Sequence, residues 1–211
     1  MAINSEQPPN PYQICMWEST SQCKECSLND KLKCRFKLAD LMHFIAMFTG
    51  FALPATIGVI HSSYGWYLLG WLAFALFFFQ VWESRILCSH CPYYAEKSRI
   101  LHCIANYGVM KLWHYRPAPM SQAEKIQLWI GFAILMGYPF PFMILGHQFS
   151  WAIVAFWAAV LFFWTLWKDT CARCVNFSCP LNHVPQDIIE TYLERNPTIR
   201  RAWKGDSRRQ E

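Results

Sequence analysis

Charge deserts this chain in four places. Leu41–Ile60, Trp66–Trp82, Leu128–Gly146 and Trp151–Trp167 contain no Asp, Glu, Lys or Arg over 20, 17, 19 and 17 residues. At a rise of 1.5 Å per residue, about 20 helical residues cross the hydrocarbon layer of a bilayer, and about 17 is the lower limit. Lipid offers no hydrogen-bond partners, so a spanning run of this kind must satisfy its backbone internally as a helix. The pattern predicts an all-α integral membrane protein with four transmembrane helices. It divides into residues 1–40, a first hairpin at 41–82, a loop at 83–127, a second hairpin at 128–167 and a tail at 168–211.

The links between spans one and two (61–65) and three and four (147–150) carry no formal charge. All 19 Lys and Arg fall elsewhere: five in 1–40, six in 83–127 and eight in 168–211. In a four-span bundle these three segments share one side. Basic residues are retained in the cytoplasm, so both termini and the long loop are expected there, in a cell membrane crossed several times. The N-terminus lacks the charged–apolar–small order of a cleaved signal peptide. Pro54, Pro139 and Pro141 are expected inside helices one and three, where neighbouring helices compensate the lost donors.

The two hairpins resemble each other at an offset of 85 residues: Pro54 with Pro139, Trp66 with Trp151, Trp82 with Trp167, and Phe77-Phe78 with Phe162-Phe163. A further shift of two sets Cys88-Ser-His-Cys91 against Cys171-Ala-Arg-Cys174. Two pseudo-repeated hairpins in parallel orientation would be related by an axis along the membrane normal.

Composition sharpens the chemistry. Eleven Trp, sixteen Phe and nine Tyr suit membrane interfaces and a lipid-facing surface, and 16% charge is low for a soluble domain. Ten Cys lie outside the four apolar runs. On the cytoplasmic side they form a Cys-rich cap in a reducing compartment, where clustered Cys serve metal binding or catalytic redox rather than structural disulfides. Lys24, Lys33, Arg35, Arg85 and Arg173 are near enough in sequence to favour thiolates.

The first set is Cys15, Cys23, Cys26 and Cys34, a C-x-x-C with one outlying Cys on each side. Four thiolates suffice for one tetrahedral Zn or one four-iron cluster. The spacing resembles the iron–sulfur loop of DNA glycosylases of the endonuclease III type; the resemblance covers these four Cys alone and implies a four-iron site. The second set is Cys88, Cys91, Cys103, Cys171, Cys174 and Cys179. Cys88, Cys91, Cys171 and Cys174 could share one metal across the pseudo-twofold. Alternatively Cys88, Cys91, Cys103 and Cys179 act together: Cys179-Pro180 is similar to the remote Cys-Pro ligand of bacterial ferredoxins, although their compact run of Cys is missing. One or two iron–sulfur clusters are the expected cofactors, with zinc the alternative. His90, His102 and His183 could each replace a thiolate.

His61 and His147 stand at the outer ends of helices one and three, where paired imidazoles could ligate a haem or contact a quinone, or simply cap helix ends. No acidic residue falls in the four runs, so a proton relay lacks its usual carrier. Around Trp113 and Tyr115 the loop reads as lying in the headgroup layer, with Lys111 and Arg116 on anionic lipid and without need of nucleic acid. Residues 186–195 read as a short helix packing over the second Cys set. No phosphate loop or nucleophile motif names an enzyme class.

The expected function is a membrane-anchored electron-transfer or relay subunit acting at the cytoplasmic face. Its partners would be the bilayer, a cytoplasmic redox protein and, potentially, further copies or other subunits. A zinc-stapled membrane scaffold and a membrane thiol oxidoreductase are the alternatives.

Overall fold

The computed structural model describes residues 10–18, 23 and 26–207; the side chains of 206 and 207 are outside the description. The chain is all-helical. Among the described residues no strand forms, and a lone antiparallel bridge joins Ile100 to Met110. Four helical runs, Leu38–His61, Tyr67–His90, Gln122–Leu145 and Phe149–Arg173, are long and apolar enough to cross a membrane.

Helix α1 (Leu38–His61) runs unbroken through Pro54. The second run begins as α2 (Tyr67–Phe77), loosens into a π-helical turn (Phe78–Trp82) and resumes as the short α3 (Glu83–Ile86). The third begins six residues before the uncharged stretch. Ser121 caps α4 (Gln122–Gly137) through the Glu124 backbone amide, and the Glu124 carboxylate returns a bond to Ser121. Pro139 does not lie inside this helix as expected: α4 ends at Gly137, and Pro139 starts α5 (Pro139–Leu145). Proline at a helix's first position forgoes only a donor that would have had no partner. Helix α6 (Phe149–Thr165) closes the bundle and also ends in a π-helical turn (Leu166–Thr170).

Both π-turns precede a tight 3-10 turn that carries a C-x-x-C pair. The π-turns start 88 residues apart and the Cys pairs 83 apart, because α3 intervenes only in the first hairpin. The 85-residue correspondence of the sequence therefore does not carry through to the helix ends.

The bundle packs α1 against α6 most extensively. Gly58 makes the close approach possible: a Cβ there would sit 2.4 Å from Met143 Sδ and 2.8 Å from Trp151 Cβ. Spans two and three are joined by Trp71 Nε1, which donates to Leu135 O at 2.8 Å within the core. The outer faces remain apolar, with Trp157 59% and Leu161 57% exposed. A surface this greasy suits lipid and not water.

A second hydrophobic core lies beyond the helix ends. It is assembled from three stretches distant in sequence, around Ile14–Leu32, Tyr93–Tyr115 and Val175–Ile199. Two further helices, α7 (Gln186–Arg195) and α8 (Pro197–Ser207), brace it. Residues 93–115 of the loop contribute to this core, while Tyr107, Met110, Leu112 and Trp113 stay exposed. Tyr115 is 8% exposed and packs edge-on against Tyr12. Lys111 Nζ reaches Glu96 O at 2.7 Å and lies over the Tyr94 ring. Arg116 pairs with Glu124 Oε1 at 2.8 Å. Trp113 stays partly exposed, as does the Arg116 side chain; Trp113 is tied to Val81 O and covered by Arg85. Of the residues read as lipid contacts, Tyr115 and Lys111 are taken up within the cap, and Arg116 and Trp113 meet the ends of the bundle helices.

Candidate metal centres

The ten Cys are all free thiols. They gather in the two sets expected from their order in the sequence, and each set lines its own cavity. The N-terminal four, Cys15, Cys23, Cys26 and Cys34, border a cavity of about 280 Å³ together with Met16, Leu28, Arg35 and Arg195. No bundle residue reaches it, so this is the outer set. The other six border a cavity of about 120 Å³ whose remaining walls include Phe44, Phe48, Phe79, Phe132 and Phe162 of the bundle. That inner set lies where the two hydrophobic cores meet.

At the outer set, three of four sulfurs accept hydrogen bonds from nitrogen. Arg35 Nη2 donates to Cys23 Sγ at 3.3 Å, Arg195 Nη1 to Cys26 Sγ at 3.1 Å, and Asn196 Nδ2 to Cys15 Sγ at 3.3 Å. Arg35 Nε is buried with no acceptor among the described residues. Burial, followed by the nearness of Cys15, Cys26 and Cys23, pushes the Cys34 thiol up to about 12. Burial also raises Cys15, against the Asn196 hydrogen bond. Four thiolates cannot share this space without positive charge among them; Arg35 and Arg195 bring two cations to it, and a metal centre would add more.

The inner set is more deeply enclosed; Cys88, Cys91 and Cys171 are buried. Backbone N–H groups two residues further on support four of its sulfurs: Tyr93 for Cys91, Ala105 for Cys103, Asn176 for Cys174 and Leu181 for Cys179. Asn106 Nδ2 donates to Cys88 Sγ at 3.4 Å. Burial still dominates: it raises Cys91, Cys103 and Cys174, and sets Cys179 at about 11. Glu83, also buried in this wall, accepts from Asn106 Nδ2 at 2.9 Å. The uncharged runs ended at Trp82, which left this carboxylate outside the membrane reading. The observed second span continues to His90 and carries it.

Both groupings proposed for the second set draw on residues in one wall, so the fold does not separate them. No three His, Cys, Asp or Glu among the described residues close on one point as the ligands of a single ion would. The sulfurs ring two spaces instead. An all-sulfur donor set hooded by N–H groups fits an iron–sulfur cluster, whose potential such hydrogen bonds tune.

The histidines stand apart. His90 is buried, with Nδ1 2.6 Å from Ala118 O and Nε2 3.4 Å from Glu124 Oε1. His102 Nδ1 meets Glu96 Oε2 at 2.7 Å, and the His183 ring stacks on Trp167. His61 and His147 are exposed at the bundle end remote from the cap, where Gln148 Nε2 bonds the His61 carbonyl. The His147 ring lies against Phe149.

Of the cations expected beside the thiols, Arg35 is placed there. Lys33 instead pairs with Asp40 at 2.7 Å, Arg85 covers Trp113, and Lys24 falls outside the described residues. Arg195 and Asn196 were missed: they end α7, whose apolar face joins the core that holds Cys88 and Cys91 while its C-terminal turn lies on the outer set. Its amphipathic pattern shows that it packs but not against what.

No protein-family model, curated protein or solved structure matches this chain.

Proposed function

We propose that the chain is a membrane-anchored electron-transfer or relay subunit, with iron–sulfur clusters held by the two Cys sets at the cytoplasmic face. The observation that carries the reading is the sorting of ten Cys into two separate cavities, one in the cap and one against the bundle. Sidedness rests on the 19 Lys and Arg, which all fall in the segments at the cap end. A cluster in each cavity would supply one-electron chemistry. The chain's own residues fix its place, exclude water from the inner cavity and set its electrostatic surroundings.

A cytoplasmic redox protein would meet the outer set. A lipid-phase acceptor has an approach to the inner one. A lateral groove of about 710 Å³, bordered by Trp129, Phe156, Trp164 and Trp167, shares Met136 and Leu181 with the inner cavity.

Zinc staples are the second reading. The cap favours it: between Cys88 and Ser121 the chain has only short 3-10 turns, and such a segment gains order from a structural metal. Dithiol oxidoreduction is opposed by burial, which raises the inner thiols where a nucleophile needs them lowered. The deciding experiment is anaerobic purification, iron, sulfide and zinc analysis, and electron paramagnetic resonance of the reduced protein. Iron, sulfide and a paramagnetic signal are expected; a colourless protein with stoichiometric zinc overturns the electron-transfer reading.

A further inference from the structure

We propose that the two Cys sets are wired in series through the peptide groups of Lys33, with Tyr93 fixing the junction, so that an electron received at the outer set passes to the inner one. The proposal rests on the electron-transfer reading and adds direction and path to it.

The Lys33 N–H donates to Arg173 O at 2.7 Å. Lys33 is bonded to Cys34 of the outer set, and Arg173 to Cys174 of the inner set. From one Cys to the other the route is covalent except for this one hydrogen bond. A second connection starts from the same residue: Tyr93 Oη donates to Lys33 O at 2.7 Å, and Tyr93 follows Cys91 by two positions. Tyr93 is 1% exposed, and its hydroxyl bond joins the turn that follows Cys91 to the residue that precedes Cys34. Electronic coupling decays more slowly along covalent and hydrogen bonds than across empty space, and here both hydrogen bonds are short, at 2.7 Å.

Each event moves one electron. With a cluster held by each Cys set, the outer one would be oxidised and the inner one reduced, and no bond would form or break. The reductant is the low-potential redox protein that docks at the outer face. The final oxidant is a quinone-type acceptor in the lipid, which takes two electrons in succession and two protons to become the quinol.

The test uses the full chain, purified anaerobically in detergent. Reduced with dithionite, it should give a paramagnetic spectrum broadened by two interacting centres. The double variant Cys23→Ser/Cys26→Ser should lose that broadening and keep the signal of the inner set alone, which also shows that it folds. A small reduced iron–sulfur protein, too large to enter the inner cavity, should reduce the inner set in the native chain and leave it oxidised in the double variant. Tyr93→Phe should retain the iron content and show slower reduction of the inner set by that donor; a native rate removes Tyr93 from the path. Iron at one set only, two non-interacting signals, or equal donor rates with and without the outer set overturn the wiring while leaving iron–sulfur electron transfer standing. A protein without iron overturns both.

Discussion

Replacing Asn196 by Ala tests how the cap is closed. The side chain is fully buried. Its oxygen accepts the Cys15 N–H at 2.8 Å, and its nitrogen donates to Tyr192 O at 2.7 Å and Cys15 Sγ at 3.3 Å. Alanine strands a buried donor and a buried acceptor. At about 1–3 kcal/mol for each group left unsatisfied, the loss is about 3 kcal/mol. The cost falls on the contact between α7 and the N-terminal segment, so local opening should respond before global unfolding. At about 1.4 kcal/mol per factor of ten, the open population rises about a hundredfold. Lys31, Lys33, Arg35 and Arg195 flank this contact and supply trypsin sites. Where closing outpaces cleavage, proteolysis follows the open population. Limited trypsin digestion of the purified protein should therefore cut there about a hundredfold faster in Asn196→Ala, with Asn196→Asp, which keeps the acceptor for Cys15, in between. A rate within about twofold of the native protein would refute the assignment of Asn196 as the clasp.

In metal-stripped protein, burial holds Cys34 at about 12 and Cys179 at about 11, both above the ordinary 9.0. The folded state then keeps protons that the unfolded state releases, so this stability is complete below pH 9.0 and drains away as pH rises towards 11 and 12. Thermal unfolding should be insensitive to these thiols near neutrality and fall in the alkaline range; a loss confined to the acid side contradicts the burial argument. Gly131→Ala would bring a Cβ within 2.0 Å of Phe78 Cε2, beside the first π-turn, and should cost about 1–3 kcal/mol by thermal unfolding in detergent. Gly137→Ala, with nothing within 4 Å, should be near neutral; equal losses at both positions would mean that the packing at Gly131 is not tight. A membrane-impermeant maleimide applied to intact cells should leave all ten Cys unlabelled, and label them once the cells are opened and the protein is denatured and stripped of metal; labelling from outside reverses the topology.

Loss of charge over about 20 residues is a local property, and it located all four spans. Their true ends were less legible because they depend on what lies beyond the bilayer. Span three gains its first turn from a cap between Ser121 and Glu124, and span two carries Glu83 because Asn106 answers it from the cap. The sorting of Cys by order in the chain was readable, since neighbours in sequence stay neighbours in tight turns. The donors to their sulfurs were not. Asn196 is 181 residues from Cys15 and Arg195 is 169 from Cys26, and no local pattern encodes such pairings. Tyr115, Lys111 and Arg116 misled for the opposite reason: aromatic and basic side chains serve a lipid surface and a loop docked on its own protein equally well.

The clasp between Cys15 and Asn196 also has a consequence for biosynthesis. A growing polypeptide presents its first four Cys long before Asn196, which fastens Cys15, has left the ribosome. The six others become neighbours only once the fourth helix has been inserted beside the first. Nascent chains must therefore carry the first four thiols open through most of translation, and the outer pocket closes only after Arg195 and Asn196, beyond the last bundle helix, have emerged.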